Sequence, residues 1–264
     1  MSEPAVLYEK KDGIATVTIN RPESLNAMDA EVMEGLTKAW IDVRDDPAVI
    51  VAIVTGAGEK SFSSGGNLKT YIPQATEGTY RAKWDTVVPG MLRGFDLYKP
   101  VIAAVNGYCI AGGMELLCGT DIRIAAEHAT FAVAEVRWGL FPGGGTTVRL
   151  PRQIPYCMAM ELLLVGGNGG RVTAQEALNA GLVNKVVPLA DLMPVAMDYA
   201  HRLKANGPLS LQAIKRSVLM TQGVPTELAY HIESQHSRVC FESDDAKEGL
   251  KAFAEKRSAN FKGR

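Results

Sequence analysis

Two short apolar runs, Val49–Thr55 and Val101–Val105, constrain this chain more than any other feature. Neither shows the polar alternation of a strand with one wet face, so each reads as a strand covered on both sides. Each also discharges into a glycine-rich turn: Gly56–Gly66 after the first, and Asn106-Gly107 leading to Ala111-Gly112-Gly113 after the second. Further strands at Ile122–Ala125 and Thr130–Val133, alternating with helical segments, predict an α/β fold. Upstream, Val6–Asn20 reads as a hairpin around Asp12-Gly13. Ala30–Arg44 reads as a helix with Val32, Leu36, Ala39, Trp40 and Val43 on one face.

Past residue 150 the pattern turns helical. Thr173 and Glu176 have the spacing of a capping box, Gly181 stands where a C-terminal cap belongs, and Leu182–Val187 reads as a last strand. Helices are expected over 191–206, 208–222, 226–242 and 244–257, with Gly207 and Gly223 as stops. The chain therefore divides into a core of residues 1–198 and a helical region of residues 199–264. Thr70–Asp96, with Tyr71, Pro73, Tyr80, Trp84, Pro89 and Gly90, reads as a mobile flap rather than packed core. No clear repeat or low-complexity tract is visible.

Composition narrows the function classes. The 264 residues carry 28 basic and 29 acidic side chains, a net charge of −1. That balance gives no drive toward nucleic acid or an anionic membrane. No segment reaches the ~18 uninterrupted apolar residues of a membrane span. Glu9, Lys10, Lys11 and Asp12 interrupt any secretory apolar segment, so a cytoplasmic protein is expected. Cys109, Cys118, Cys157 and Cys240 form no C-x-x-C pair and read as small buried hydrophobes. His231 and His236 are five apart and share no helical face, so no metal is expected; His128 and His201 read as surface or capping residues. Thr55–Ser61 lacks the spacing of a phosphate loop, and Ser63 and Ser64 lack that of a nucleophile elbow.

The chemistry concentrates in two glycine turns, Phe62–Lys69 and Asn106–Glu115. Glycine lets a backbone approach a ligand and leaves its N–H unshielded. The first N–H groups of a helix are free and carry the positive end of its dipole. Either turn alone is most simply a tight turn. Facing each other, they could hold an oxygen that becomes negative during a reaction. Glu115 lies in the first turn of the helix opened by Gly112, and Glu135 follows the strand Thr130–Val133. Both carboxylates sit between apolar segments, where carboxylates are uncommon without a reason.

These residues resemble the enoyl-CoA hydratase/isomerase (crotonase) superfamily along nearly the whole chain. The resemblance rests on Asn20–Ala27, Ile53–Gly56, Phe62–Lys69, Lys99–Gly107, Ala111–Glu115, Pro142–Thr146, Thr173–Ala177 and Phe253–Arg257, in that order and spacing. It implies a spiral of ββα units with a helical C-terminal trimerisation region, a homotrimer or homohexamer, and an acyl-CoA thioester substrate. Coenzyme A would be part of that substrate, with no separate cofactor, and fatty acid metabolism would be the setting. By matching position, the N–H groups of Gly66 and Gly112 would form an oxyanion hole. Glu115 would activate a water and Glu135 would protonate the α-carbon, with the Gly143 N–H helping to hold that water. Leu25, Ala27, Ser64, Gly66, Asn67, Leu68, Lys69 and Gly112 fall where such proteins contact substrate, and Lys256 matches a lysine that reaches a CoA phosphate. Three features depart from the family. Asn67 stands where Asp is usual, the Gly166–Gly170 loop is longer, and Arg137 and Trp138 are bulkier than the usual aliphatics.

Hydration of a 2-enoyl thioester is thus the expected activity, since both glutamates are retained. Isomerisation, or dehydration of a functionalised acyl-CoA of the carnitinyl-CoA type, is the alternative on the same enolate. A CoA-binding scaffold or an RNA-associated protein with little turnover is the alternative from another class.

Overall fold

The structure is a computed structural model that describes residues 3–77 and 87–264. The N-terminal hairpin forms as expected, from β1 (Val6–Lys11) and β2 (Ile14–Ile19), with Gly13 at φ 77° in its turn. Helix α1 (Ala30–Asp45) starts where the Asp29 carboxylate accepts the Val32 N–H at 2.9 Å. It buries the five side chains that its periodicity singles out, of which Val32, Leu36 and Val43 are worth about 1.5–3 kcal/mol each in removed apolar surface.

The rest of the core winds through two sheets. β3 (Val51–Gly56) leads to β4 (Ser61–Ser63) and then α2 (Tyr71–Thr76). β5 (Val101–Val105) leads to β6 (Tyr108–Ile110) and then α3 (Gly112–Leu117). β7 (Ile122–Ala126) leads to β8 (Thr130–Ala132) and then a 3-10 turn, Glu135–Trp138. Each long strand enters the first sheet and each short strand the second. Helices α4 (Thr146–Gln153) and α5 (Tyr156–Leu164) follow. β9 (Val172–Thr173), α6 (Ala174–Asn179) and β10 (Lys185–Val187) complete the core. The sheet orders are β1-β2-β3-β5-β7-β10 and β4-β6-β8-β9, parallel except for the β1–β2 and β8–β9 pairs. This is the ββα spiral that the resemblance implies.

The larger sheet is covered on both faces, as its apolar runs predict. Alternate residues such as Ala52, Val54, Ala103 and Val105 pack toward α1 and the second sheet. Their neighbours Ile53, Ile102, Ala104 and Ile124 pack on Leu192, Ala196 and Ala200 of α7 (Leu189–Lys204). Beyond lie α8 (Pro208–Met220), α9 (Thr226–Phe241) and α10 (Asp244–Ala254). The capping box forms: the Glu176 N–H reaches Thr173 Oγ1 at 3.2 Å and the Thr173 N–H reaches the Glu176 carboxylate at 2.8 Å.

Three expectations need correction. The Thr70–Asp96 segment is not an unpacked flap throughout: Met91 and Leu92 are buried in the core, and Trp40 Nε1 donates to the Gly90 carbonyl at 3.3 Å. Glycine at 90 permits this, since a Cβ there would lie 2.9 Å from Met33 Cε. Tyr80 and Trp84 fall outside the described residues. Cys157 is exposed and Cys240 only half-buried, because both lie on outer helix surfaces; Cys109 and Cys118 are buried as expected. The last strand starts at Lys185, because Leu182 and Val183 bury their side chains in the turn before it.

Candidate active site

The first glycine turn is laced to the loop after β2. Asn26 is buried and donates its amide to the carbonyls of Ala57, at 3.0 Å, and Ser61, at 2.6 Å. Ser63 Oγ donates to the Asn26 carbonyl at 2.8 Å, and the Ser64 N–H donates to the Leu25 carbonyl at 3.0 Å. The Met28 N–H meets the Gly65 carbonyl at 2.7 Å, and the Asn67 N–H meets the Met28 carbonyl at 2.8 Å. Gly66, between them, keeps its N–H unengaged among the described residues.

The second turn comes at the end of β6. Ala111 takes φ 51° and ψ −116°, a conformation costly for any residue with a Cβ, and α3 begins at once with Gly112. As the first residue of the helix, Gly112 has no intrahelical acceptor for its N–H, and none is found among the described residues. The two turns meet glycine to glycine. A Cβ at Gly65 would fall 2.9 Å from Gly112 N, and one at Gly113 would fall 2.6 Å from the Ser63 carbonyl oxygen. A Cβ at Gly112 would lie 3.5 Å from Gly66 N. The two unengaged N–H groups therefore belong to backbone turns in close contact, as a site for a developing oxyanion would require.

Glu115 projects from the first turn of α3 and is 8% exposed. Its Oε1 accepts the N–H of Gly144, which the sequence reading did not single out. Burial raises the Glu115 pKa, while that hydrogen bond and the charges of Arg93 and Arg149 work against the rise. Glu135 opens the 3-10 turn after β8, half-buried, with Oε2 sealed from solvent and without a hydrogen-bond partner among the described residues. Burial and the nearby Glu115 carboxylate push its pKa up to about 7. Burial thus raises both carboxyls, with backbone donors opposing the rise at each and the charges of Arg93 and Arg149 opposing it at Glu115, as befits a pair of groups that exchange protons.

The other expected residues fall in four places. Leu25, at φ 56°, and Ala27 lie on the loop laced to the first turn; Leu25 is 36% exposed and Ala27 buried. Ser64, Asn67, Leu68 and Lys69 continue that turn, with Leu68 and Lys69 exposed. Asn67 Oδ1 accepts the N–H groups of Lys69 at 2.9 Å and Thr70 at 3.2 Å, the turn-closing bonds an aspartate would also make. Lys256 is exposed just past α10 at φ 54°, away from these loops in sequence. The Gly143 N–H has no partner among the described residues, while the Gly143 carbonyl accepts Arg93 Nη1 at 2.7 Å.

Sequence reasoning missed Gly144, Arg93 and Arg149. The run Gly143-Gly144-Gly145 was a usable signal for the first, but nothing local marks the arginines.

The enoyl-CoA hydratase/isomerase family model matches residues 9–264. Enoyl-CoA hydratase EchA19 of Mycobacterium tuberculosis is 43% identical over 100% of this chain and 98% of its own. Carnitinyl-CoA dehydratase of Salmonella typhi is 41% identical over 95% of each chain. The crystal structure of enoyl-CoA hydratase EchA1 from Mycobacterium marinum superposes with a TM-score of 0.89 at 37% identity, covering 99% of this chain and 100% of that one. By sequence, by fold and by the two glycine turns that face each other, this chain belongs to the enoyl-CoA hydratase/isomerase family.

Proposed function

We propose that the protein is an enoyl-CoA hydratase, adding water reversibly across the 2,3 double bond of an acyl-CoA thioester. The observation that carries this reading is the pairing of two unengaged glycine N–H groups with two neighbouring carboxyls that burial holds above their ordinary range. The thioester oxygen accepts from Gly66 and Gly112. Addition at the β-carbon moves charge onto that oxygen, and each aimed donor lowers the barrier by roughly 3–4 kcal/mol. Glu115, as carboxylate, takes a proton from the attacking water, which the Gly143 N–H helps to hold. Glu135, as the acid, protonates the α-carbon of the enolate. The CoA moiety runs along Leu25, Ala27, Ser64, Asn67, Leu68 and Lys69. Lys256 takes a CoA phosphate, in its own or a neighbouring subunit.

The assembly read for the protein is a homotrimer or homohexamer in the cytoplasm, built through residues 199–264. Among the described residues α8 and α9 have no buried side chain, and Ile214, Val218, Phe241 and Phe253 are 56–85% exposed. An apolar helical surface of that extent calls for a protein partner. Among the described residues no helix is long and apolar enough to cross a membrane, and no group of three or more His, Cys, Asp and Glu side chains could hold a metal ion.

Dehydration of a functionalised acyl-CoA is the second reading. It is favoured by the bulk of Arg137 and Trp138 beside Glu135, with Trp138 56% exposed. A panel of 2-enoyl-CoAs of rising chain length, followed by loss of enoyl-thioester absorbance and repeated with carnitinyl-type thioesters, separates the two. Absence of turnover on every thioester would instead favour a CoA-binding scaffold.

A further inference from the structure

The Gly143 carbonyl and the Gly144 N–H belong to one peptide group. Arg93 Nη1 donates to the oxygen at one end of it, at 2.7 Å. Glu115 Oε1 accepts the hydrogen at the other end. A trans peptide is planar, with its C=O and N–H pointing in opposite directions, so fixing one end aims the other. Glycines on both sides of the bond leave its plane free to turn, because glycine has no steric preference that would oppose rotation.

Arg93 is itself delivered from a fixed platform. Val88 and Arg93 close a tight hairpin, with the Val88 N–H on the Arg93 carbonyl at 2.7 Å and the Arg93 N–H on the Val88 carbonyl at 3.1 Å. Arg149 grips the hairpin from beneath, donating to the carbonyls of Met91, at 3.2 Å, and Leu92. Trp40 holds Gly90, and Met91 and Leu92 are buried. Arg93 makes no ion pair among the described residues, so no paired carboxylate there neutralises the charge it places on the peptide.

We propose that Arg93 is a positioning residue for hydration, which locks the plane of the Gly143–Gly144 peptide and polarises it, so that the Gly144 N–H holds Glu115 as the ionised partner of Glu135. A charged donor on the carbonyl strengthens the N–H as a donor in turn, as hydrogen bonds in a chain do. The groups that bear on Glu115 are Arg93 and Arg149, which favour its charge, and the carboxyl of Glu135, which opposes it. Buried Cys118, at the end of α3, stays a thiol. Arg149 is committed to the hairpin carbonyls, which leaves Arg93, among the described residues, as the cation that touches the peptide. The proposal rests on the reading of Glu115 and Glu135 as the water-sharing pair.

The test is the pH dependence of kcat/KM for Arg93→Met and Arg93→Lys in the intact enzyme. In Arg93→Met the acid limb, which reports ionisation of the base, is expected to move up by about one pH unit, the size of effect a nearby opposite charge has. Its kcat should fall at least about tenfold, with KM within about threefold, as when an interaction specific to the transition state is lost. Arg93→Lys keeps a cationic donor and should restore the limb to the parental position. An unmoved limb in Arg93→Met, or a limb in Arg93→Lys displaced as far as in Arg93→Met, overturns the proposal. Should Arg93→Met fail to fold by circular dichroism, the limb of Arg93→Lys decides alone: parental supports, displaced refutes. Glu115→Gln in the same assay separates the two levels. If it retains hydration, the pair reading fails; if it is inactive while the Arg93 variants keep the parental profile, only the role of Arg93 fails.

Discussion

Gly144 sits so close to Glu115 that its N–H donates to Oε1, and a Cβ at position 144 would fall 2.5 Å from Oε2 and 2.7 Å from the carboxyl carbon. No side chain fits there while the carboxyl stays in place. A glycine outside the two facing turns therefore fixes where the Glu115 carboxyl stands.

Gly144→Ala is accordingly expected to displace the carboxylate by a fraction of an ångström or more and to lower kcat by about a hundredfold, the usual cost of such a misplacement. The added methyl meets Glu115 rather than the CoA-contacting loops, so binding of a saturated acyl-CoA should be retained. Steady-state hydration kinetics with a binding isotherm check both halves. Parental kcat in a folded variant would mean that Glu115 is not held where the reaction needs it.

Glu115→Gln and Glu135→Gln should each leave the fold and CoA affinity intact and abolish most hydration. If one water is shared, the double variant should be little worse than the worse single, because groups acting as a unit are strongly non-additive. Near-additive losses would sink the shared-water assignment.

Much of this was legible in the sequence, for identifiable reasons. The strands β3 and β5 announce themselves because burial on both faces leaves almost only apolar residues, whereas β7 carries the buried Arg123 and shows less plainly. Helix α1 shows because its buried face recurs at helical spacing. Gly66, Gly112, Glu115 and Glu135 stand out because they lie where buried strands end. The Arg93–peptide–Glu115 chain was not legible, because its members come from three segments that meet only in the fold, and two of its contacts run through backbone atoms that carry no residue signature. The packing of Met91 and Leu92 was hidden by the Pro and Gly residues around them, which read as loop. Those breaks instead let the chain lie flat against α1.

Glu135 also predicts a pH-dependent stability. Its carboxyl is raised in the folded state from 4.5 to about 7. A raised pKa means the folded form holds the proton more tightly than the unfolded form. The resulting contribution is complete below the unfolded value and is lost as pH rises through about 7. The gap amounts to about 3 kcal/mol at 1.36 kcal/mol per unit. Denaturant unfolding at a series of pH values should therefore show the parent losing stability between pH 5 and 8 relative to Glu135→Gln. Parallel curves for the two proteins would mean the carboxyl is not sequestered.

The exposed apolar face of the C-terminal helices should govern assembly. Ile214→Asp combined with Val218→Asp places two charges on α8 at sites that are 63% and 56% exposed in the single chain. Neither side chain supports the chain's own core, so the fold should survive by circular dichroism. Light scattering should then report the 28.4 kDa protomer in place of a larger species, and removal of residues 243–264 should likewise reduce the assembly. An unchanged oligomer mass in both would place the contact surface elsewhere.

The oxyanion assignment is tested most directly at Gly112. A proline there would delete the N–H, but Ala111 before it already holds a strained backbone at φ 51° and ψ −116°, and a residue preceding proline is restricted further. Alanine is the cleaner probe. Its Cβ would lie 3.3 Å from Gly65 Cα and Met28 Sδ and 3.5 Å from Gly66 N. Those contacts are tight: the Met28 side chain can shift, while the backbone at Gly65 must give by a few tenths of an ångström. The methyl is expected to crowd the space beside the Gly66 and Gly112 N–H groups, so that an oxygen is no longer held well by the two together. Hydration by Gly112→Ala should fall by about a hundred- to a thousandfold, as when one oxyanion donor is lost. A saturated acyl-CoA should still bind through the loops at Leu25 and Leu68. Turnover within about tenfold of the parent, in a variant shown to be folded and to bind CoA, would mean that the thioester oxygen does not sit in the space beside the Gly112 Cα.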